Sequence, residues 1–115
     1  MNQIEQLTDQ IVAFRDERDW KQFHNPKDMA LSLTLEAAEV LEHFQWKTPG
    51  EIEEYLTAHK NELAEELCDV LFWVLLMSRD LGIDLPTAFQ AKLAKNRQKY
   101  PVEKARGSHL KYTEL

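Results

Sequence analysis

The chain has one cysteine, three glycines and four prolines in 115 residues. A lone cysteine excludes an internal disulfide and a cysteine-based zinc site. So few Gly and Pro argue against a loop-rich or β-rich chain. The longest apolar run, Val70 to Met77, is far shorter than the roughly 20 residues that span a bilayer. No secretory apolar core follows Met1, so the expectation is a cytoplasmic protein with no membrane partner. Cys68 lies among Leu67, Val70 and Leu71 and reads as a core residue.

Basic side chains are missing where they would matter most. Residues 29–46 and 61–78 contain no Lys or Arg. The first holds Glu36, Glu39 and Glu42; the second holds Glu62, Glu65, Glu66 and Asp69. Both stretches are otherwise largely apolar. Acids on such helices are hard to ionise unless a cation joins them, and no basic side chain of either stretch can. A metal ion fits that description.

The net charge of −6 is unevenly spread. Residues 1–91 carry seven Lys/Arg against eighteen Asp/Glu, whereas residues 92–115 carry seven against two. An acidic body with a basic tail suits a metal and a polyphosphate together; a solvated tail is the plain alternative. The acidic body would repel a duplex, so nucleic acid is not an expected partner.

Helical signals run along the chain. Ile4, Leu7, Ile11 and Phe14 have helical spacing over residues 2–17. Residues 18–25 break the pattern and hold Trp20, Phe23 and His24 in a loop. Asn25-Pro26 reads as an N-cap followed by a first-turn proline, opening a helix to about Gln45. Apolar residues cover most of that helix's circumference, which predicts extensive burial, against another subunit as well as within the chain. Ser32, Glu36, Glu39 and His43 share its polar strip. Thr48-Pro-Gly-Glu51 matches a capping box for a helix over 49–58. Another spans 60–81 and ends at Gly82. Asp84-Leu-Pro86 starts a last helix that stops before Tyr100-Pro101. The expected fold is all-α, most simply a four-helix bundle over residues 1–101, with a basic C-terminal tail at 102–115.

Glu36-x-x-Glu39 and Glu66-x-x-Asp69 each place two carboxylates one turn apart on one helix face. Two facing helices would offer a hard cation several oxygens, the donor set that Mg²⁺ prefers. A di-iron bundle needs Glu-x-x-His on two helices, and no Glu or Asp here has a His three residues later. His43, four residues after Glu39, reads as a hydrogen-bonded histidine rather than a ligand, and the cluster Glu51, Glu53, Glu54 as a solvated face.

Glu36-Ala-Ala-Glu39 followed by Glu66-Leu-Cys-Asp69 resembles the ExxE…ExxD signature of the MazG-like all-α nucleoside triphosphate pyrophosphohydrolases. The blocks Arg18–His24, Leu41–Lys47, Asn96–Pro101 and Lys111–Leu115 are similar to the dCTP pyrophosphatase branch of that family. The resemblance implies a Mg²⁺-dependent enzyme that converts dCTP, or a related modified nucleotide, to the monophosphate and pyrophosphate. It implies catalytic and metal-holding roles for Glu36, Glu39, Glu66 and Asp69, substrate contacts by Trp20, His24 and Trp46, and positions near phosphates or base for Lys92 and Asn96. Trp73 stands where that branch has a tyrosine, and is a further candidate for the substrate pocket; Ile11 stands where the animal enzymes have a histidine. The resemblance also implies a homodimer or homotetramer and a role in cleaning the nucleotide pool. Two rivals remain: the same chemistry on dUTP or damaged nucleotides, and a non-catalytic helical oligomeric binding module.

Overall fold

The computed structural model describes residues 1–115 and contains no strand. Packing divides the chain into two compact units, Met1–Gly82 and Ile83–Leu115. This division is distinct from the one drawn above at Pro101 by charge and periodicity.

In the first unit, α1 spans Gln3–Glu17, α2 Pro26–Glu42 and α3 Pro49–Asp80. Each starts on a side-chain cap that its own sequence supplies. The Asn2 side chain accepts the Glu5 N–H at 2.8 Å, and Asn25 accepts the Asp28 N–H at 2.9 Å ahead of Pro26. Thr48 and Glu51 form the reciprocal capping box, at 3.3 and 3.1 Å. Such caps satisfy amide donors that have no partner inside the helix. The expected pair of helices at 49–58 and 60–81 is one path, α3, kinked at His59, whose φ of −119° and ψ of 16° leave the helical region. Gly82 follows α3 with φ +68°, a conformation that glycine adopts without a Cβ penalty. A Cβ there would meet nothing, so the demand at Gly82 is on the backbone alone.

α3 packs against both α1 and α2. Met29 of α2 and Leu75 and Leu76 of α3 are the buried apolar centre. Burial of a side chain of this size stabilises by about 1.5–3 kcal/mol. One expectation fails here. Cys68 is exposed rather than in the core: it shares a helix face with Leu75, seven residues on, but lies two turns earlier, where nothing in the chain covers that face. α2 is open within the single chain: Leu31, Leu35 and Leu41 are all more than half exposed, the surface that the expected second subunit would cover. Leu67 and Leu71 of α3 are exposed as well. Periodicity reports which side chains are apolar, not what covers them.

The second unit holds α4, Leu85–Lys99, capped by Asp84, and the short α5, Val102–Ala105. Its last residues form a single 3₁₀ turn, Tyr112–Glu114. Tyr112 meets the Tyr100 ring edge-on at 6.0 Å and lies under Lys99 Nζ at 4.8 Å.

Candidate active site

The i, i+3 spacing on α2 and α3 brings the two acidic pairs together. Carboxylate oxygens of Glu36, Glu39, Glu66 and Asp69 all lie within 4.8 Å of one another. Glu36 and Glu66 are half-buried, Glu39 and Asp69 exposed. No Lys or Arg forms an ion pair with any of the four. Their mutual effect is visible in their acidity. Pairing with the Glu39 carboxyl, together with desolvation and the charges of Glu39, Asp69 and Glu36, pushes Glu66 up to about 7. Partial burial, then contact with Glu39 and the Asp69 charge, raises Glu36 too. Four converging oxygen donors that resist joint ionisation fit a hard divalent cation, which removes the repulsion that raises them.

His43 adds a neighbour that its sequence position only hinted at. Its Nδ1 pairs with the Tyr55 hydroxyl, and its Nε2 lies 3.9 Å from Glu66 Oε1. This agrees with a hydrogen-bonded histidine. Tyr55 has two further neighbours: the His59 ring stacks on it at 4.2 Å and Lys47 Nζ lies 4.4 Å from its centroid.

The other expected site residues fall into three groups. Trp20, His24 and Trp73 are joined by a chain of edge-to-face rings. Trp20 meets Phe14 at 5.7 Å, Phe14 meets Phe72 at 6.1 Å, and Phe72 meets Trp73 at 5.2 Å. Trp73, four residues beyond Asp69, also meets His24 at 5.2 Å. Trp46 stands outside this chain, 91% exposed in the turn between α2 and α3, with φ +68°. Lys92 is exposed and Asn96 half-buried on α4, in the second unit. The acidic residues Glu51, Glu53 and Glu54 are exposed, as expected.

One buried polar cluster escaped the sequence reading altogether. Arg15 is 2% exposed and grips Asp80 through two hydrogen bonds, 2.7 and 3.0 Å. Its NH1 also lies 3.5 Å from His24 Nδ1. The Arg15 guanidinium holds Asp80 below the usual carboxylate range, while partial burial and then the Arg15 charge lower His24. The available signal was a lone arginine four residues after Ile11, on the apolar face of α1.

Residues 31–115 match the model of the MazG-like family. The chain belongs to the MazG-like family. The matched span takes in all four carboxylates, Trp46, Trp73, Lys92 and Asn96, while Trp20 and His24 precede it. This MazG-like chain is 43% identical over 106 residues to dCTP pyrophosphatase 1 of Homo sapiens, and 42% identical over 106 residues to that of Rattus norvegicus. Each match covers 90% of this chain and 62% of the relative, so the chain spans less than two thirds of those proteins' length. A pyrophosphatase from Archaeoglobus fulgidus superposes with a TM-score of 0.82 at 39% identity, covering 88% of this chain and 94% of that one. The all-α, MazG-type fold expected from the sequence is therefore the fold of the protein.

Proposed function

We propose that this MazG-like chain is a Mg²⁺-dependent nucleoside triphosphate pyrophosphohydrolase acting on dCTP or a related modified nucleotide, in the cytoplasm, as a cleaner of the nucleotide pool. The observation that carries the reading is the convergence of Glu36, Glu39, Glu66 and Asp69 within 4.8 Å on two packed helices. The names of its relatives, dCTP pyrophosphatase 1 and a pyrophosphatase, support the reaction class and the first substrate to try.

In this reading the four carboxylates hold the ion. When bound, Mg²⁺ neutralises charge on the triphosphate and lowers the pKa of a coordinated water. Water attacks the α-phosphorus in line, the α–β phosphoanhydride bond breaks, and the monophosphate and pyrophosphate separate. A carboxylate of the cluster takes the proton that the attacking water loses. Trp20, His24, Trp46 and Trp73 contact the nucleoside, and Lys92 and Asn96 the phosphates or base. The exposed leucines of α2 and α3 support a homodimer or homotetramer in which a second copy covers them. Neither nucleic acid nor membrane is a partner in this reading.

The test is a panel of nucleoside triphosphates assayed for pyrophosphate release, with and without Mg²⁺. Release from dCTP ahead of dUTP and the purines, only with the ion, is expected. Release from dUTP or damaged nucleotides first would move the substrate and leave the chemistry. No release from any triphosphate, with no change in melting temperature on adding Mg²⁺, would leave a helical binding module.

A further inference from the structure

A buried arginine seldom has a surface explanation, and Arg15 ties the end of α3 to the segment that joins α1 to α2. Its guanidinium clasps Asp80 at the end of α3. Its backbone carbonyl accepts the Trp20 N–H at 3.2 Å. Its NH1 reaches His24 Nδ1 at 3.5 Å. A guanidinium has only donors, so the ring nitrogen facing it must accept. The proton of a neutral His24 then resides on Nε2, a donor that makes no hydrogen bond within the chain. Arg15 has little freedom to choose otherwise, because two of its nitrogens are fixed on one carboxylate and the side chain is almost wholly buried.

We propose that the Arg15–Asp80 pair is a positioning device for one ring: it locks His24 as the neutral Nε2–H tautomer, offering one hydrogen-bond donor to an acceptor oxygen of the nucleotide. The proposal rests on the nucleotide-hydrolysing reading above, in which His24 contacts substrate. Asp80 acts through Arg15, and Arg15 through His24. The charges that act on the ring are Arg15 on α1 and Asp80 on α3; Lys21 and Arg79 line the same cavity, and Trp73 meets the ring edge-on. Burial and the Arg15 charge both favour the neutral ring, against the smaller opposing pull of Asp80.

Two measurements on the full chain test this. The first is the ¹⁵N imidazole spectrum of His24 without nucleotide. An Nε2–H pattern at pH 7 that becomes a tautomer mixture in Asp80→Asn is expected. A protonated Nδ1 in the wild type would overturn the proposal, whatever the enzyme does. The second is kinetic. Asp80→Asn should raise KM for dCTP roughly fivefold, the loss of about one hydrogen bond, with kcat within about twofold. Adding Asp80→Asn to His24→Ala should then change KM no further, because the pair acts only through that ring. Additive effects would overturn it, as would a lowered melting temperature with KM and tautomer unchanged, the signature of a structural pair. A wild type inactive on every triphosphate would refute the hydrolase reading instead, and the tautomer measurement would still decide the positioning role.

Discussion

His43 Nε2 lies 3.9 Å from Glu66 Oε1 while the opposite nitrogen of the same ring pairs with the Tyr55 hydroxyl. The imidazole thus spans the seam between α2 and α3 and presents one face to the acidic cluster. Tyr55→Phe removes the hydroxyl and frees the ring to rotate. The expected outcome is a Mg²⁺ affinity about tenfold weaker, in line with the loss of a group that orients a metal-site neighbour, with helix content unchanged. Melting temperature followed against Mg²⁺ concentration measures it; superimposed titration curves would show that Tyr55 does not reach the site.

The raised pKa of Glu66 has a definite sign in stability. Its folded value is about 7 against an ordinary 4.5, so the native state holds a proton that the unfolded chain releases between those values. The resulting stabilisation is complete below about 4.5 and disappears as pH rises through 7. His24, lowered in the fold, works the other way below 6.5. The difference in melting temperature between wild type and Glu66→Gln, measured without metal, isolates the carboxyl. Glu66→Gln should grow more stable relative to wild type from pH 5 to 7.5, and a flat difference would contradict this.

Trp46 combines an exposed indole with a left-handed backbone, φ +68°. That conformation costs a residue with a Cβ about 1–2 kcal/mol. Trp46→Gly should therefore be more stable than Trp46→Ala by about 1 kcal/mol in denaturant unfolding. Both should weaken nucleotide binding by roughly 1–3 kcal/mol if the ring stacks on a base. Equal stability of the two variants would mean that the turn relaxes.

Leu35, 58% exposed on α2, separates the chain's own stability from its association. Leu35→Lys should alter the stability of a single subunit by no more than about 0.5 kcal/mol, as an exposed substitution does. It should nevertheless shift the particle mass toward a single chain in light scattering. An unchanged oligomer would place the interface elsewhere.

What the sequence made legible was local. Asn25-Pro26, Thr48 with Glu51, Gly82 and Asp84 marked helix ends because a cap is a contact over three residues, written in consecutive letters. The acidic pairs were legible for the same reason, since i, i+3 spacing decides a shared face before any tertiary structure forms. Arg15 and Asp80 lie 65 positions apart, and nothing near either one announces the other. Cys68 was misjudged because apolar neighbours were read as burial, and the pattern of α2 showed which side chains are apolar without showing what covers them.

The break at His59 divides α3 into two helical stretches joined at one residue whose φ/ψ leave the helical region. Each added residue turns an α-helix by about 100°. A residue inserted between Glu62 and Glu66 would swing Glu66 and Asp69 off their face by that angle and scatter the four carboxylates. The same insertion between Tyr55 and His59 adjoins a residue that is already non-helical, where a change of phase costs no regular helix. Added length between Tyr55 and His59 should therefore be accepted more readily than the same insertion a few residues later, within what looks in outline like one continuous helix.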